Sequence, residues 1–164
     1  MTLDLIIKII PIILSIIALV FSIIGWKYSR ISIRQTIKNS YMSALFDIDK
    51  QLINTPSLWT IYDEFPEGLI KDNDPKETGQ RRAFIDYHFN LFEVTHTNYT
   101  RILFKNRADR EFWESMKKYI IQFFKSSTEA RNIFKEENTQ QSYLTEFVIL
   151  VNDIIDKIER KNLS

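Results

Sequence analysis

The chain has 164 residues with 45% hydrophobic and 26% charged side chains, a net charge of +1, no Cys and only two His. That composition excludes disulfide staples and thiolate metal sites, and it leaves no strongly basic surface of the kind a general nucleic-acid binder needs. It suits a reducing compartment and one globular domain of ordinary size beside any membrane segment.

The first predicted element is a membrane span. Ile9 to Trp26 carry no formal charge, and a hydrocarbon core of about 30 Å needs roughly 20 apolar residues in a helix. Leu5 to Trp26 supply that length if Lys8 snorkels toward the outer headgroups. A cleaved signal peptide would want a basic start, a shorter apolar core and small residues at its end. Here Ile23, Ile24 and Trp26 stand at the end of the run. Trp26, Lys27, Tyr28, Arg30 and Arg34 form an aromatic and basic interface, continued by Lys38. The positive-inside rule then places the C-terminal bulk in the cytoplasm, with the N-terminus outside.

Small and hydroxylated residues interrupt the isoleucines in order. Ser15, Ala18, Ser22, Gly25, Ser29, Ser32 and Thr36 recur at alternating steps of three and four. Such a face allows close approach of helix backbones in lipid, and its hydroxyls can bond across a helix interface. It fits a homo-oligomer, with the same face either packed between copies or lining a wet lumen. A monomeric anchor with incidental serines is the plain alternative.

The helix should continue beyond the membrane. Ile37, Tyr41, Leu45, Ile48 and Leu52 keep a three–four apolar spacing up to Asn54, which extends it about 40 Å at 1.5 Å per residue. The expected organisation is an anchor over 1–26, a cytoplasmic extension over 27–54 and a helical domain over 55–164. Thr55-Pro56 should cap a short aromatic helix over 57–65, closed by Pro66 and Gly68, with a polar loop over 71–73. Asp74, Pro75 and Glu77 resemble a capping box that opens a helix ending near Phe104. Its expected apolar stripe is Phe84, Tyr87, Leu91, Phe92, Thr95, Tyr99 and Ile102.

A turn over 105–109 leads to a helix burying Phe112, Trp113, Met116, Tyr119, Ile120 and Phe123. Ser127 should cap a short helix reaching Glu136. The last helix presents Leu144, Phe147, Val151, Ile154 and Ile158. No segment alternates with a period of two between turn signals. The fold class is therefore all-α: an N-terminal transmembrane helix feeding a cytoplasmic bundle of four or five helices.

Candidate chemistry is sparse. His88 and His96 lie eight residues apart, about 80° around a helix, too far to share one ion. No ligand-spaced cluster accompanies them, so no metal site and no cofactor is expected. Arg81 and His88 share a helix face two turns apart. Such a pair can bind a phosphodiester and move its protons, with Arg neutralising charge on phosphate. One pair per chain would need a second copy to complete a site. His88 also falls on the apolar stripe, where a core histidine bonded to Tyr87 or Glu93 is the structural alternative. Arg107, Arg110, Lys117, Lys118 and Lys125 make one side of a helix basic, which could touch RNA or anionic lipid, though the pattern fits a solvated face better. Because Lys27, Arg30, Arg34 and Lys38 carry four positive charges in a chain of net +1, the remainder after Lys38 is mildly acidic.

The layout resembles a family of small bacterial single-span membrane proteins with a helical domain. Leu91-Phe92-Glu93, Glu111-Phe112-Trp113 and Tyr143 with Phe147 carry the resemblance over most of the chain. It is also similar to the membrane accessory protein encoded beside type VI-B CRISPR RNA-targeting nucleases. That resemblance implies a divergent HEPN-type helical domain, assembly through the N-terminal span, an RNA or RNA-guided nuclease partner, and membrane perturbation in anti-phage defence. The HEPN pattern is an Arg, four to six residues, then a His. Arg81 with His88 meets its loosest spacing and Arg82 a tighter one, but Ala83 follows Arg82 where a polar residue is usual. The reading is a non-enzymatic effector or partner-recruiting module; the alternative is a membrane-tethered RNA-binding or RNA-cleaving module using Arg81 and His88.

Overall fold

A computed structural model describes residues 3–65, 75–102 and 106–162, with side chains from Ile9 to Lys161. Among these residues every regular element is helical. Pro66, Gly68, the loop over 71–73, Asp74, Phe104 and Lys105 lie outside the described residues. The chain divides into two compact units, Met1–Ser40 and Tyr41–Ser164.

The first unit is the greater part of α1 (Leu3–Asn54), which runs through Pro11 without a break in the helix. Proline removes one backbone donor inside a helix, and Ser15 Oγ donates to the Pro11 carbonyl at 2.8 Å. Ser22 Oγ likewise donates to the Ala18 carbonyl at 2.9 Å. An 18-residue window of this helix has a mean hydropathy of 2.7 and none of it is buried. By length and composition, α1 is able to cross a membrane.

The second unit begins with the last turns of α1 and closes around an aromatic core. Tyr41 meets Phe112 edge to face at 5.4 Å, while Ile48 and Leu52 are buried. A 3-10 helix, η1 (Pro56–Ile61), buries Leu58 and Ile61. It is shorter than the helix expected over 57–65, and the Thr55 side chain does not cap it. Proline stands at its first position, and its six residues make about two turns of the tighter 3-10 form that short connectors often take.

Helix α2 (Pro75–Thr97) is the centre of the unit and packs on η1, α3 and α6. It buries Phe84, Ile85, His88, Phe89, Phe92 and Thr95. The expected stripe missed Ile85 and Phe89 and included Tyr87, Leu91 and Tyr99, which are only half-buried. A central helix is covered on more than one side, so its buried surface is wider than a single amphipathic stripe. It also ends earlier than expected, passing at Asn98 into a π-helical turn that extends to Ile102. There Thr100 Oγ1 donates to the His96 carbonyl at 3.0 Å, a local alternative to the α-helical ladder.

Helix α3 (Arg107–Ser126) starts sooner than the expected turn allowed, because Asn106 caps it by accepting from the Asp109 amide at 2.9 Å. It buries Trp113, Met116, Ile120, Phe123 and Phe124. Ser127 caps α4 (Thr128–Lys135) through the Ala130 amide at 3.1 Å, as its position in the sequence suggests. After the short α5 (Glu137–Gln141), α6 (Thr145–Asn162) buries Phe147, Val151, Ile154 and Ile158 as expected. Leu144 precedes it and is exposed. Phe89 gathers the core, stacking on Phe124 at 5.6 Å and meeting Phe134 edge-on at 5.1 Å.

Candidate functional site

His88 sits on the innermost face of α2 because Phe84 and Phe92, one turn to either side, are themselves core residues. It is fully buried. Its Nδ1 lies 2.9 Å from the Phe84 carbonyl, which assigns the proton of the neutral ring to that nitrogen. The Phe123 ring stacks on it at 4.3 Å, and Phe84 meets it edge-on at 4.7 Å. Burial among these rings lowers its pKa to about 4, against a smaller opposing effect of the Phe84 carbonyl. His88 is therefore neutral at physiological pH. Its bond is to the backbone of its own helix rather than to Tyr87 or Glu93.

Arg81 lies on the same helix but is committed elsewhere. Its Nε donates to Glu129 Oε2 at 3.2 Å, and its terminal nitrogen reaches the same oxygen. Arg82 binds Glu136 through two contacts of 3.1 and 2.9 Å and Thr139 Oγ1 at 2.9 Å. Both arginines therefore tie the first turns of α2 to the α4–α5 segment. The structure gives each arginine a carboxylate of its own and gives His88 an aromatic enclosure. It does not bring Arg81 and His88 together through any hydrogen bond.

His96 is half-buried beside Trp113, 5.5 Å between ring centroids, and near Phe147 at 6.2 Å. Burial lowers its pKa, opposed by the Glu146 and Glu93 carboxylates. Glu93 itself accepts from the Leu144 amide at 2.6 Å, supplying a partner for an amide at the start of α6. Among the described residues no group of His, Cys, Asp and Glu has the spacing to hold a metal ion.

Sequence reasoning missed a polar junction centred on Asp63. Its backbone amide donates to the Ser126 carbonyl at 2.7 Å, while its carboxylate accepts from the Thr128 amide and hydroxyl at 2.9 and 2.8 Å. Arg131 completes the junction by donating to the Phe124 carbonyl, to the Lys125 carbonyl at 3.2 Å and to Thr128 Oγ1 at 2.7 Å. These partners satisfy carbonyls at the end of α3 and an amide at the start of α4. The wide separation of Asp63 from Thr128 in sequence hides the junction from any local pattern.

On α1 the residues Ser15, Ala18, Ser22, Gly25, Ser29, Ser32 and Thr36 are all exposed. The hydroxyls of Ser15 and Ser22 are satisfied by their own helix, so neither needs an external partner in an apolar medium. A side chain added at Gly25 would meet nothing within 4 Å. Just past the apolar run, the Arg30 guanidinium lies 3.3 Å from the centroid of the Trp26 ring, a cation–π pair one turn apart. Tyr28 is exposed as well. The spacing of Trp26 and Arg30 at i and i+4 held the signal for this pair. No known protein family, curated protein or solved structure matches the chain.

Proposed function

We propose that this chain is a single-span protein of the bacterial inner membrane that self-associates along the small-residue face of α1. Its helical domain then serves as a non-enzymatic, partner-recruiting module on the cytoplasmic side. The observation that carries the reading is the exposure of every described side chain from Ile9 to Ser29. A bare apolar helix of this length needs a membrane, and the residues of the buried core run from Ile48 onward. The one-sided run of Lys27, Arg30, Arg34 and Lys38 supports the orientation. The open small face at Ser22 and Gly25 supports close packing between copies.

The resemblance described from the residues extends this reading to an oligomeric membrane assembly in antiviral defence. The enclosure of His88 and the engagement of Arg81 by Glu129 favour a structural use of that pair over RNA cleavage. Because the chain has no native Cys, single-cysteine labelling tests placement cleanly. Thr2→Cys should react with an impermeant maleimide in intact spheroplasts, and Ser142→Cys only after lysis. The reverse pattern overturns the orientation, and recovery of the wild-type chain in the soluble fraction overturns the anchor.

A further inference from the structure

Helices α3 and α6 leave an open groove of about 420 Å³ between them. One wall is Lys117, Ile121 and Lys125, an i, i+4, i+8 ridge of α3. The other is Asp153, Lys157 and Lys161, the matching ridge of α6, with Ile154 and Ile158 at the base. Lys157 holds Asp153 at 2.5 Å, so the one carboxylate among the described lining residues is already engaged. Among the described residues, Lys117 and Lys125 have no ion-pair partner. The walls are positive and the floor is aliphatic.

We propose that this groove seats an amphipathic helix of a partner protein, one whose aliphatic stripe is flanked by Glu or Asp. An i±4 ridge of an incoming helix can seat in a furrow lined by i±4 ridges. Lysines flanking an apolar seam select carboxylates at the flanking positions of the incoming helix, as e and g positions do in coiled coils. From Lys117 to Lys125 the wall is about 12 Å long at 1.5 Å per residue, enough for about two turns of that helix. A nucleic acid is a poorer fit because no described lining residue is aromatic, and bases bind best where aromatic rings offer a face to stack on. The lysine stems would cover the flanks of the guest while their ammonium groups stay hydrated. The inference rests on the reading of the domain as a partner-recruiting module, and it names the chemistry of that partner.

The test uses the full chain in neutral detergent micelles and a fluorescent peptide of about five helical turns, with Leu at heptad a and d and Glu at e and g. A twin peptide carries Lys at e and g. The acidic peptide should bind and the basic twin should not. Lys117→Glu combined with Lys125→Glu should weaken binding at least about tenfold through like-charge repulsion, as should Ile121→Asn. Lys118→Glu, on an exposed position outside the groove, should leave it unchanged, and circular dichroism confirms that each variant is folded. No binding of the acidic peptide, equal binding of both peptides, or full affinity in the double variant overturns the proposal. Displacement of the peptide by single-stranded RNA or by phosphatidylglycerol vesicles overturns it in favour of those ligands. Particle mass reports self-association separately, so failure of the groove and failure of the assembly are read from different measurements.

Discussion

His88 and Phe123 stack with ring centroids 4.3 Å apart and planes 11° from parallel. This contact joins the midpoint of α2 to α3 and decides what the histidine can do. A ring sandwiched into an aromatic core loses its hydration, and the charged form pays most for that loss. Its pKa of about 4 lies below the ordinary 6.5. The unfolded chain therefore takes up the proton first as pH falls.

Stability contributed by neutral His88 is fully present above pH 6.5 and is lost as pH drops toward 4. The loss amounts to about 3 kcal/mol across that window. Thermal unfolding of the full chain in detergent, followed by near-ultraviolet circular dichroism, should show the decline. His88→Leu should flatten it relative to wild type, because the variant keeps the carboxylates but lacks this proton site. An unchanged slope would remove His88 as its source.

Arg81 and His88 serve the fold in this arrangement, so their variants should separate from RNA chemistry. Arg81→Ala breaks a partly exposed ion pair with Glu129 and should cost about 1 kcal/mol or less. Neither Arg81→Ala nor His88→Leu should change the rate at which the purified chain degrades a labelled RNA. Cleavage by wild type that both folded variants abolish would restore the catalytic reading.

Phe89 is fully buried and touches rings from α3, α4 and the segment before α6. Truncating it leaves a void shared by all of them. Phe89→Ala should lower unfolding free energy by about 3–5 kcal/mol. The exposed Ile149, changed to Ala, should alter it by only a few tenths, about 0.5 kcal/mol at most. Chemical denaturation of the two variants side by side checks the contrast.

Asp63 anchors the junction of α3 and α4 by accepting from the Thr128 amide and hydroxyl. Asp63→Ala removes a capping carboxylate and should cost about 1 kcal/mol. Amide hydrogen exchange should quicken first at Thr128 and in the opening turn of α4. Exchange that quickens uniformly across the domain would contradict a local capping role.

Much of the fold can be read from spacing alone. The last helix shows its buried Phe147, Val151, Ile154 and Ile158 at heptad steps because only one face of α6 meets the core. Ser127 announces α4 because capping is a local interaction. Phe89 and Ile85 escape the same reasoning, since α2 is covered by η1, α3 and α6 and no single stripe describes it. The site is less legible still. The Arg82–Glu136 and Asp63–Thr128 contacts join residues that become neighbours only through tertiary packing. The groove needs α3 and α6 side by side before Lys117 and Lys157 line its two walls. By contrast, the Trp26–Arg30 pair was open to view as an i, i+4 spacing.

The central claim is assembly through the small face of α1, and particle mass in lipid tests it most directly. Light scattering on the full-length chain in nanodiscs should give a defined multimer for wild type. Gly25→Leu should shift it toward the monomer. The free space around Gly25 means leucine does not strain the isolated helix, so a change in mass reports on contact between copies. A wild-type particle of one chain, or a multimer indifferent to both Gly25→Leu and Ser22→Leu, would contradict the account.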